Sequence, residues 1–217
     1  FNKSVWRNRA LTDTFEPGST MKIFNAAAAL EYGKITPNEI FFCENGTYRI
    51  GKNVVHDIHK HGWLSLQKII KFSSNSGAVK ITEKTGANNL HRTFQDFGFG
   101  QKTGIDFPGE TPGSLSHHST WSKIDTGAIS FGHGISVSAL QLVTAVSAIA
   151  NGGNLMKPYL VSEIVDQDGN LVHAFKPRRV RRAVSARTAT VVKNILKTVM
   201  TESGTGVNAA LDGYTVC

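Results

Sequence analysis

The residues with the clearest capacity for covalent chemistry lie near the start of the chain, where Ser19 precedes Lys22 by three positions. On a helix this spacing places both side chains on one face, within reach of each other. Serine becomes a good nucleophile when a neighbouring base takes its proton, and lysine can be that base when burial or nearby positive charge keeps its amine neutral. The pair therefore predicts a nucleophile and its base for acyl transfer.

The segment around this pair favours the start of a buried helix. Pro17-Gly18 breaks the chain directly before Ser19, and an apolar run over residues 23–30 follows Lys22. Burial of that run would place the lysine amine where a charge is unfavourable, as a lysine base requires. A serine before a helix is more often a simple N-cap, so the tetrapeptide alone leaves both interpretations open.

A second polar element, Ser73-Ser74-Asn75, opens a later predicted helix. The Ser73 hydroxyl can relay a proton, and the Asn75 amide can hydrogen-bond both a lysine and a substrate carbonyl. The alternative interpretation is a polar cap on that helix. The element supplies the remaining candidates for an acyl-transfer site.

Together with other motifs, these elements resemble the transpeptidase domain of the class B penicillin-binding proteins, the monofunctional, high-molecular-mass type. The matching segments, in the family's order, are residues 15–22, 73–77, 97–100, 104–110 and 129–153. The resemblance covers nearly the whole chain. It implies an α+β fold of the β-lactamase and penicillin-binding-protein transpeptidase type, in a single domain over residues 1–217.

The resemblance also implies the roles of four residues in a D-Ala-D-Ala transpeptidase. Ser19 would attack the carbonyl between the two terminal D-alanines of a peptidoglycan stem peptide, with Lys22 as its base. Ser73 would pass the proton to the leaving D-alanine, and Asn75 would orient the substrate and the lysine. The backbone N–H of Ser19 would form half of the oxyanion hole. No cofactor or metal is expected, and β-lactams would mimic the substrate and stall at the acyl-enzyme.

Other functions share these residues. A D,D-carboxypeptidase would transfer the acyl group to water, and a serine β-lactamase would deacylate quickly. Class A β-lactamases use a glutamate downstream of the second motif to activate water. Glu110 follows Asn75, but its setting between Pro108 and Pro112 resembles the penicillin-binding pattern instead. The alternative from another class is a non-catalytic interaction module whose Ser19–Lys22 segment is only a capped helix.

The family's third motif is Lys-Thr-Gly on a strand that binds the substrate carboxylate. Lys84-Thr85-Gly86 is predicted to end a helix, and Lys102-Thr103-Gly104 to lie in a glycine-rich loop, so neither fits that strand. We therefore expect the third motif beyond residues 214–217, which are predicted to begin a β-run. The resemblance likewise implies truncation at the N-terminal side. The chain would then hold a mainly helical part of the domain, lack much of the central sheet, and be weakly active or inactive by itself.

Composition describes one globular domain with a core, since 40% of the 217 residues are hydrophobic and 18% are charged. The formal net charge of +8 would suit a polyanionic partner or a membrane surface, and five cations fall within residues 176–182. No recognition motif or aromatic platform accompanies them, so a solvated strand edge is favoured over nucleic-acid binding.

The cellular location rests on the resemblance. Cys43 and Cys217 do not establish a disulfide, and the sequence contains no run of about eighteen apolar residues and no signal peptide. The family implies an N-terminal membrane anchor outside this chain, with the domain at the outer face of the bacterial cytoplasmic membrane. The implied partners are peptidoglycan stem peptides, β-lactams and other cell-wall synthesis proteins. Division, elongation and sporulation roles stay open.

The histidines carry weaker signals. A zinc site at His56, His59 and His61 is disfavoured because their spacing fits no closed ligand set, and a loop beside the active-site cleft is expected instead. His133 lies between Gly132 and Gly134, whose backbone freedom allows a close approach to another segment. No role is predicted for it.

Hydrophobic periodicity and turn residues predict the elements that position these groups. Helices are predicted over residues 20–32, from Leu66, from Ser74, over residues 88–97, from a Ser136 cap to Ala150, and after a Ser185 cap. Hairpins are predicted over residues 40–55, turning near Asn45-Gly46 or Gly51, and over residues 160–175, turning at Asp168-Gly169.

Overall fold

Helices and short strands alternate along the chain in the computed structural model, which describes residues 6–214 and 216. The α-helices of these residues are α1 (Arg9–Thr12), α2 (Lys22–Glu31), α3 (Leu66–Lys71), α4 (Asn75–Thr85), α5 (Ala87–Asp96), α6 (Lys123–Ser130), α7 (Ala139–Ala150) and α8 (Ala186–Val199). The strands are β1 (Thr14–Phe15), β2 (Ile40–Phe42), β3 (Thr47–Ile50), β4 (Asn53–His56), β5 (Trp63–Ser65), β6 (Val137–Ser138), β7 (Asn154–Lys157), β8 (Glu163–Val165), β9 (Leu171–Ala174) and β10 (Arg178–Arg182). This mixture is the predicted α+β composition.

Helix α2 lies in the core because its apolar run is almost entirely buried. The Phe24 ring is fully buried, with its centroid 4.8 Å from that of Phe97 and 5.0 Å from that of Phe99. Residues 26–29 are all alanine, which lets neighbouring helices approach closely, and α2 contacts α4, α5 and α8. Burying a side chain of the size of Phe24 contributes roughly 1.5–3 kcal/mol. The buried helix predicted after Ser19 is confirmed.

A buried asparagine fixes α2 against its neighbours. Asn25 Nδ2 donates to the Ala78 carbonyl of α4 at 3.0 Å and to the Ser130 carbonyl of α6 at 3.3 Å. Asn25 Oδ1 accepts from Thr82 Oγ1 of α4 at 3.0 Å. An unpaired amide in the core would be unfavourable, so these bonds favour one register of α2 on α4. That register brings the first turn of α2 beside the start of α4.

The strands pair two by two, and every pair is antiparallel. Within the described residues the pairs are β1 with β6, β2 with β5, β3 with β4, β7 with β10, and β8 with β9. The first pair places Thr14 opposite Ser138 and Phe15 opposite Val137. It holds the chain just before Ser19 against the segment that opens α7.

Several predicted elements are confirmed. Helix α5 buries Leu90 and Phe94 on one face. The Ser185 hydroxyl accepts from the Thr188 N–H and caps α8 as expected. The β8–β9 pair forms the hairpin expected around Asp168-Gly169. Local periodicity and cap residues were sufficient for these elements.

The prediction of one hairpin over residues 40–55 is wrong in its first strand. Strands β3 and β4 form a hairpin that turns at Gly51, one of the two predicted turns. Strand β2 instead pairs with β5, which places Ile40 opposite Ser65 and Phe42 opposite Trp63. The cause is the reversal at Glu44 and Asn45, whose positive φ angles redirect the chain before β3 begins.

The predicted Ser136 cap is also wrong, by two residues. Ser138 is the N-cap of α7, and its hydroxyl accepts from the Gln141 N–H while the Gln141 side chain accepts from the Ser138 N–H. This reciprocal arrangement is a capping box, which requires Gln or Glu three residues after the cap. Ser136 forms an antiparallel bridge with Ser114 instead.

The remaining structural predictions concern the chain ends and the cysteines. The β-run predicted at residues 214–217 includes Thr215 and Cys217, which lie outside the described residues. Cys43 is buried and forms no disulfide with any of the described residues. Across residues 6–214 and 216, the model contains no helix with the length and apolar character needed to span a membrane.

Candidate active site

The candidate nucleophile lies inside a tight turn rather than at a helix cap. Residues Gly18–Met21 form a 3-10 turn that leads directly into α2, and its N-cap is Pro17. Thr20 Oγ1 donates to the Pro17 carbonyl at 2.7 Å, which closes the turn. Ser19 is therefore not the N-cap, so the interpretation of Ser19 as a simple cap is wrong.

A glycine contact anchors this turn. The Gly18 N–H donates to the Gly132 carbonyl at 3.1 Å. A Cβ on Gly132 would lie 2.1 Å from the Gly18 carbonyl oxygen, and the φ of Gly132 is +88°. Any larger residue at position 132 would push the nucleophile turn away. The glycine before His133 thus allows the chain at residue 132 to lie in close contact with the turn at Gly18.

The Lys22 amine lies among oxygen atoms from three residues. Its Nζ is 3.1 Å from Ser19 Oγ, 3.0 Å from Ser73 Oγ, 2.6 Å from the Ser73 carbonyl oxygen and 2.7 Å from Asn75 Oδ1. Lys22 is only 2% exposed, and none of these neighbours is a carboxylate. The structure therefore brings together all four predicted site residues around one buried amine.

Burial lowers the pKa of Lys22 to about 8, although the negative charge of Asp57 opposes the shift. A neutral amine has two N–H donors and one lone pair. The Ser73 carbonyl and Asn75 Oδ1 can only accept, so they take both donors. The lone pair is then left for a serine hydroxyl, which is the arrangement a general base needs.

Ser73 and Ser74, consecutive residues of the second polar element, make different contacts. Ser74 caps α4 by accepting from the Gly77 N–H at 2.9 Å, so the predicted cap interpretation holds for this serine. Ser73, in contrast, has a φ of +55°, which is uncommon for a residue with a side chain. This backbone conformation turns both its carbonyl and its hydroxyl to Lys22. Such local strain costs on the order of 1–3 kcal/mol and persists where the surroundings hold it.

Asp57 supports this element and was missed in the sequence. Its carboxylate accepts from Ser74 Oγ at 2.6 Å, from the Asn75 N–H at 2.5 Å and from the Ser76 N–H at 2.9 Å. A negative charge there satisfies the free N–H groups and the positive dipole at the start of α4. Asn75 Nδ2 donates to the His56 carbonyl at 2.8 Å, so the histidine loop does lie beside the cluster. The only sequence signal was an acidic residue in that loop.

Glu16 is a second residue that the sequence did not single out. Its carboxylate accepts from the Gly134 N–H at 2.8 Å and from His133 Nδ1 at 2.8 Å. The hydrogen bond from Gly134, followed by that from His133, lowers the pKa of Glu16. The contact fastens the segment before Ser19 to the loop after α6.

The two Lys-Thr-Gly tripeptides lie where they were predicted. Lys84-Thr85-Gly86 ends α4, with Gly86 at a φ of +89°. Lys102-Thr103-Gly104 lies in a loop in which Thr103 donates to Glu110 through its N–H at 2.6 Å and its hydroxyl at 2.5 Å. Neither tripeptide contacts Lys22, and the Glu110 carboxylate is already engaged by this loop. Within the part of the chain that the structure describes, no His, Cys, Asp or Glu cluster is arranged to hold a metal.

Comparisons with known proteins identify the family of this chain. The family model described as the penicillin binding protein transpeptidase domain matches residues 1–217. The chain therefore belongs to the penicillin-binding protein transpeptidase family, and its predicted class B type and α+β transpeptidase fold are confirmed.

Two curated relatives show the extent of the match. The chain is 34% identical to the probable peptidoglycan D,D-transpeptidase PenA of Neisseria flavescens, covering 99% of this chain and 50% of that protein. It is 36% identical to the stage V sporulation protein D of Bacillus subtilis, covering 97% of this chain and 33% of that protein. The chain thus spans half or less of the length of these relatives.

Solved structures agree as well. The transpeptidase domain of penicillin-binding protein 3 from Burkholderia pseudomallei superposes with a TM-score of 0.87 at 34% identity, covering 97% of this chain and 61% of that one. Penicillin-binding protein 3 from Mycobacterium tuberculosis, complexed with aztreonam, gives a TM-score of 0.86 at 32% identity, covering 95% and 48%.

Proposed function

We propose that this domain is the catalytic part of a D-Ala-D-Ala transpeptidase that cross-links peptidoglycan stem peptides, with Ser19 as nucleophile and Lys22 as base. The observation that carries the proposal is the buried Lys22 amine, which contacts Ser19 Oγ and Ser73 Oγ and, among the described residues, has no carboxylate partner. Relatives named as peptidoglycan D,D-transpeptidases support the reaction type.

The first half-reaction forms an acyl-enzyme. The Ser19 hydroxyl gives its proton to Lys22 Nζ while Ser19 Oγ attacks the carbonyl between the two terminal D-alanines. The backbone N–H of Ser19 would donate to the oxyanion that develops and so form half of the oxyanion hole. When the carbon–nitrogen bond breaks, the proton passes from Lys22 through Ser73 Oγ to the amine of the leaving D-alanine. Lys22 becomes neutral again and an ester on Ser19 remains.

The second half-reaction reverses these proton movements. An amine of a neighbouring stem peptide attacks the ester carbonyl, and its proton passes through Ser73 Oγ to Lys22 Nζ. The carbon–oxygen bond to Ser19 then breaks, and Ser19 Oγ recovers the proton from Lys22. The product is a new amide cross-link. Asn75 orients the lysine through Oδ1 during both steps.

β-Lactams fit the same first step. Ser19 would open the lactam amide, and the leaving nitrogen would stay attached to the acyl group, where it hinders attack by the second amine. The aztreonam complex of the Mycobacterium tuberculosis relative supports β-lactam binding by this type of domain.

The competing functions differ in how the acyl-enzyme is resolved. A class A type of β-lactamase needs a glutamate that activates water at the ester. Glu110 instead accepts from the Thr103 and Gly104 N–H groups, and its contacts do not include Ser19 or Lys22. This observation favours the transpeptidase over that β-lactamase. A D,D-carboxypeptidase would use the same four residues with water as acceptor.

The proposal extends to the setting of the domain. By family resemblance, the protein acts at the outer face of the cytoplasmic membrane through an anchor outside this chain, beside other cell-wall synthesis proteins. A Lys-Thr-Gly strand beyond Cys217 would bind the substrate carboxylate. The proposed role is in division or sporulation, and a relative named as a sporulation protein agrees with the second of these.

The decisive experiment is intact mass spectrometry of the full gene product after incubation with benzylpenicillin. We expect one penicilloyl adduct, located on Ser19 by peptide mapping, and no adduct in Ser19→Ala. An adduct that survives Ser19→Ala would overturn the assignment, and so would no adduct on the folded wild-type protein. Penicillin hydrolysis at tens of turnovers per second would identify a β-lactamase instead. For the 217-residue chain alone we expect weak or no acylation.

A stem-peptide assay separates the two remaining enzymes. With a donor stem peptide and an acceptor amine, the transpeptidase yields a cross-linked dimer, and a carboxypeptidase yields only the shortened donor and free D-alanine. Release of D-alanine with no dimer at any acceptor concentration would replace the transpeptidase by the carboxypeptidase.

A further inference from the structure

A small cavity lined by cations and aromatic rings lies apart from the four site residues. Its lining residues are Asp106, Lys157, Tyr159, Phe175, Lys176 and Arg178. We call this cavity the basic pocket. Its volume is about 250 Å³, which is enough for a sugar ring. It lies where the end of β7 meets the start of β10.

Strand pairing brings like charges together in the basic pocket. The antiparallel register of β7 and β10 places Arg178 directly opposite Lys157. Lys176 precedes Arg178 by two residues and also lines the cavity. Like charges that face each other across a strand pair destabilise it. The fold itself therefore gains nothing from this arrangement, and an anionic ligand would relieve the repulsion.

The protein supplies little counter-charge. Asp106 is the acidic residue of the lining, and its carboxylate already accepts from the Leu160 N–H at 2.8 Å and the Val161 N–H at 3.3 Å. Across the described residues, Lys157, Lys176 and Arg178 form no ion pair within 4.0 Å. The pocket thus keeps an excess of positive charge.

The aromatic residues indicate what carries the anion. Tyr159 is 39% exposed and Phe175 is 41% exposed, so both leave ring surface open beside the cations. An aromatic face packs against the C–H face of a sugar, and a phenol offers a hydrogen bond to a sugar hydroxyl. The Arg178 guanidinium can form a bidentate pair of hydrogen bonds with a carboxylate, and the ammonium groups of Lys157 and Lys176 attract it as point charges.

We propose that the basic pocket binds a carboxylate-bearing glycan and so holds a cell-wall strand at a place separate from the acyl-transfer site. The proposal rests on the proposed function only for the cell-wall setting. The carboxylate lies on Arg178 between Lys157 and Lys176, and the sugar ring packs against Tyr159 and Phe175. A second copy of this chain is a poor occupant because its own basic pocket would repel this one.

The test uses the full gene product carrying Ser19→Ala, which cannot turn over a probe. Calorimetry compares glycan chains stripped of stem peptides, which carry a carboxylate on every muramic acid residue, with neutral chitin oligosaccharides of equal length. We expect the acidic chains to bind at least about tenfold more tightly than the neutral ones, which is the difference that one charge-assisted contact would make. Their affinity should fall with added salt. Equal binding of the two glycans would overturn the proposal.

Two neighbouring arginines provide matched variants. Arg178→Gln removes a cation of the pocket, whereas Arg179→Gln removes the next one, which is not part of the lining and lies 3.5 Å from Asn154 Oδ1. We expect Arg178→Gln to weaken acidic glycan binding about tenfold and Arg179→Gln to change it less than about twofold. Equal losses of affinity in the two variants would mean that the overall positive charge binds the glycan, and this would overturn the proposal that the basic pocket binds it.

Two further measurements distinguish a lipid ligand from a glycan and separate failure of this inference from failure of the proposed function. Binding to anionic phospholipid vesicles that depends on Arg178, without glycan binding, would assign the pocket to a lipid headgroup and overturn the glycan. Penicillin acylation of Arg178→Gln with Ser19 intact should equal that of the wild type. Failure of the proposed function shows as no acylation in either protein, whereas failure of this inference shows as normal acylation without a difference between the glycans.

Discussion

Two lysines on helices that pack together, Lys22 on α2 and Lys80 on α4, show how surroundings decide the chemistry of an amine. Lys22 is almost fully buried among neutral oxygen atoms, and burial lowers its pKa to about 8. Lys80 is also partly buried, which by itself lowers its pKa. Its contacts with Glu44 at 3.1 Å and with the Tyr48 ring at 3.9 Å reverse the effect, so the pKa of Lys80 is raised.

The difference lies in the partners. A carboxylate stabilises the ammonium form, so Lys80 stays positively charged. Its contacts with Glu44 and Tyr48 link α4 to the start of the β3–β4 hairpin. Carbonyl, amide and hydroxyl oxygens hydrogen-bond the amine without adding a full negative charge, so Lys22 can lose its proton near neutral pH. Both residues are lysines, but only Lys80 has a carboxylate partner that stabilises its charge.

Lys22→Arg should have the largest effect, because it removes the contrast between the two lysines. A guanidinium keeps its proton in proteins, so it fills the space of Lys22 but cannot act as a base. We expect the second-order rate constant of penicillin acylation to fall by about 10³-fold, within the range of general-base catalysis. Stopped-flow measurements with a fluorescent penicillin check this, and near-normal acylation would show that Lys22 is not the base.

The pH dependence tests the protonation state directly. Because the pKa of Lys22 is lowered to about 8, its neutral fraction rises as the pH rises through that value. The acylation rate constant should therefore increase about fiftyfold from pH 6 to pH 8 and then level off. A profile that is flat over this range would contradict the assigned base.

Asn25→Ala tests whether α2 and α4 must keep their register. The change removes the bonds to Ala78, Ser130 and Thr82 and leaves a buried hydroxyl without its partner. We expect a loss of about 2 kcal/mol in the free energy of unfolding, measured by urea denaturation. Acylation should fall in the remaining folded protein, because Lys22 lies on α2 and Ser73 lies just before α4, the two helices that Asn25 joins.

Asn75→Asp would give Lys22 the kind of partner that Lys80 has. A carboxylate at the position of the amide would raise the pKa of Lys22, and each rise of one pH unit in that pKa would reduce the neutral amine at pH 7 by about tenfold. The acid limb of the pH profile should move to higher pH. A profile that keeps its wild-type midpoint would mean that the type of oxygen beside Lys22 does not control its pKa.

Glu44→Gln should have the smallest effect. The Glu44 side chain is 34% exposed, so its pair with Lys80 contributes less than about 1 kcal/mol. The thermal unfolding midpoint should shift slightly, and penicillin acylation should stay unchanged. A large loss of acylation would show that the ion pair of Lys80 with Glu44 also controls the active site.

The predicted site residues came from short-range signals. The three-residue spacing of Ser19 and Lys22, the break at Pro17-Gly18 and the apolar run after them were visible in order along the chain. Ser73 and Asn75 were identified by their types and by the resemblance. Caps at Ser74 and Ser185 were equally local, because a hydroxyl at a helix start bonds an N–H only two or three residues ahead.

The missed features depend on contacts between distant segments. Asp57 in the histidine loop meets the start of α4, and Glu16 meets the loop at His133. The pairing of β2 with β5 skips an entire hairpin. Nothing in the local pattern of these residues separates them from ordinary polar surface or strand residues, because their partners are set by how α2, α4 and α6 pack.

The amino-acid sequence alone established which groups could do chemistry in this protein: a serine with a lysine three residues later, a Ser-Ser-Asn element and the family to which they belong. Only the packed fold provides the surroundings in which this lysine could act as a base. Packing α2 against α4 removes water from Lys22 and surrounds its amine with neutral oxygens, whereas the same side chain at position 80 meets a carboxylate and keeps its proton. A pKa depends on solvent and on neighbouring charges, and both are set only when the chain folds.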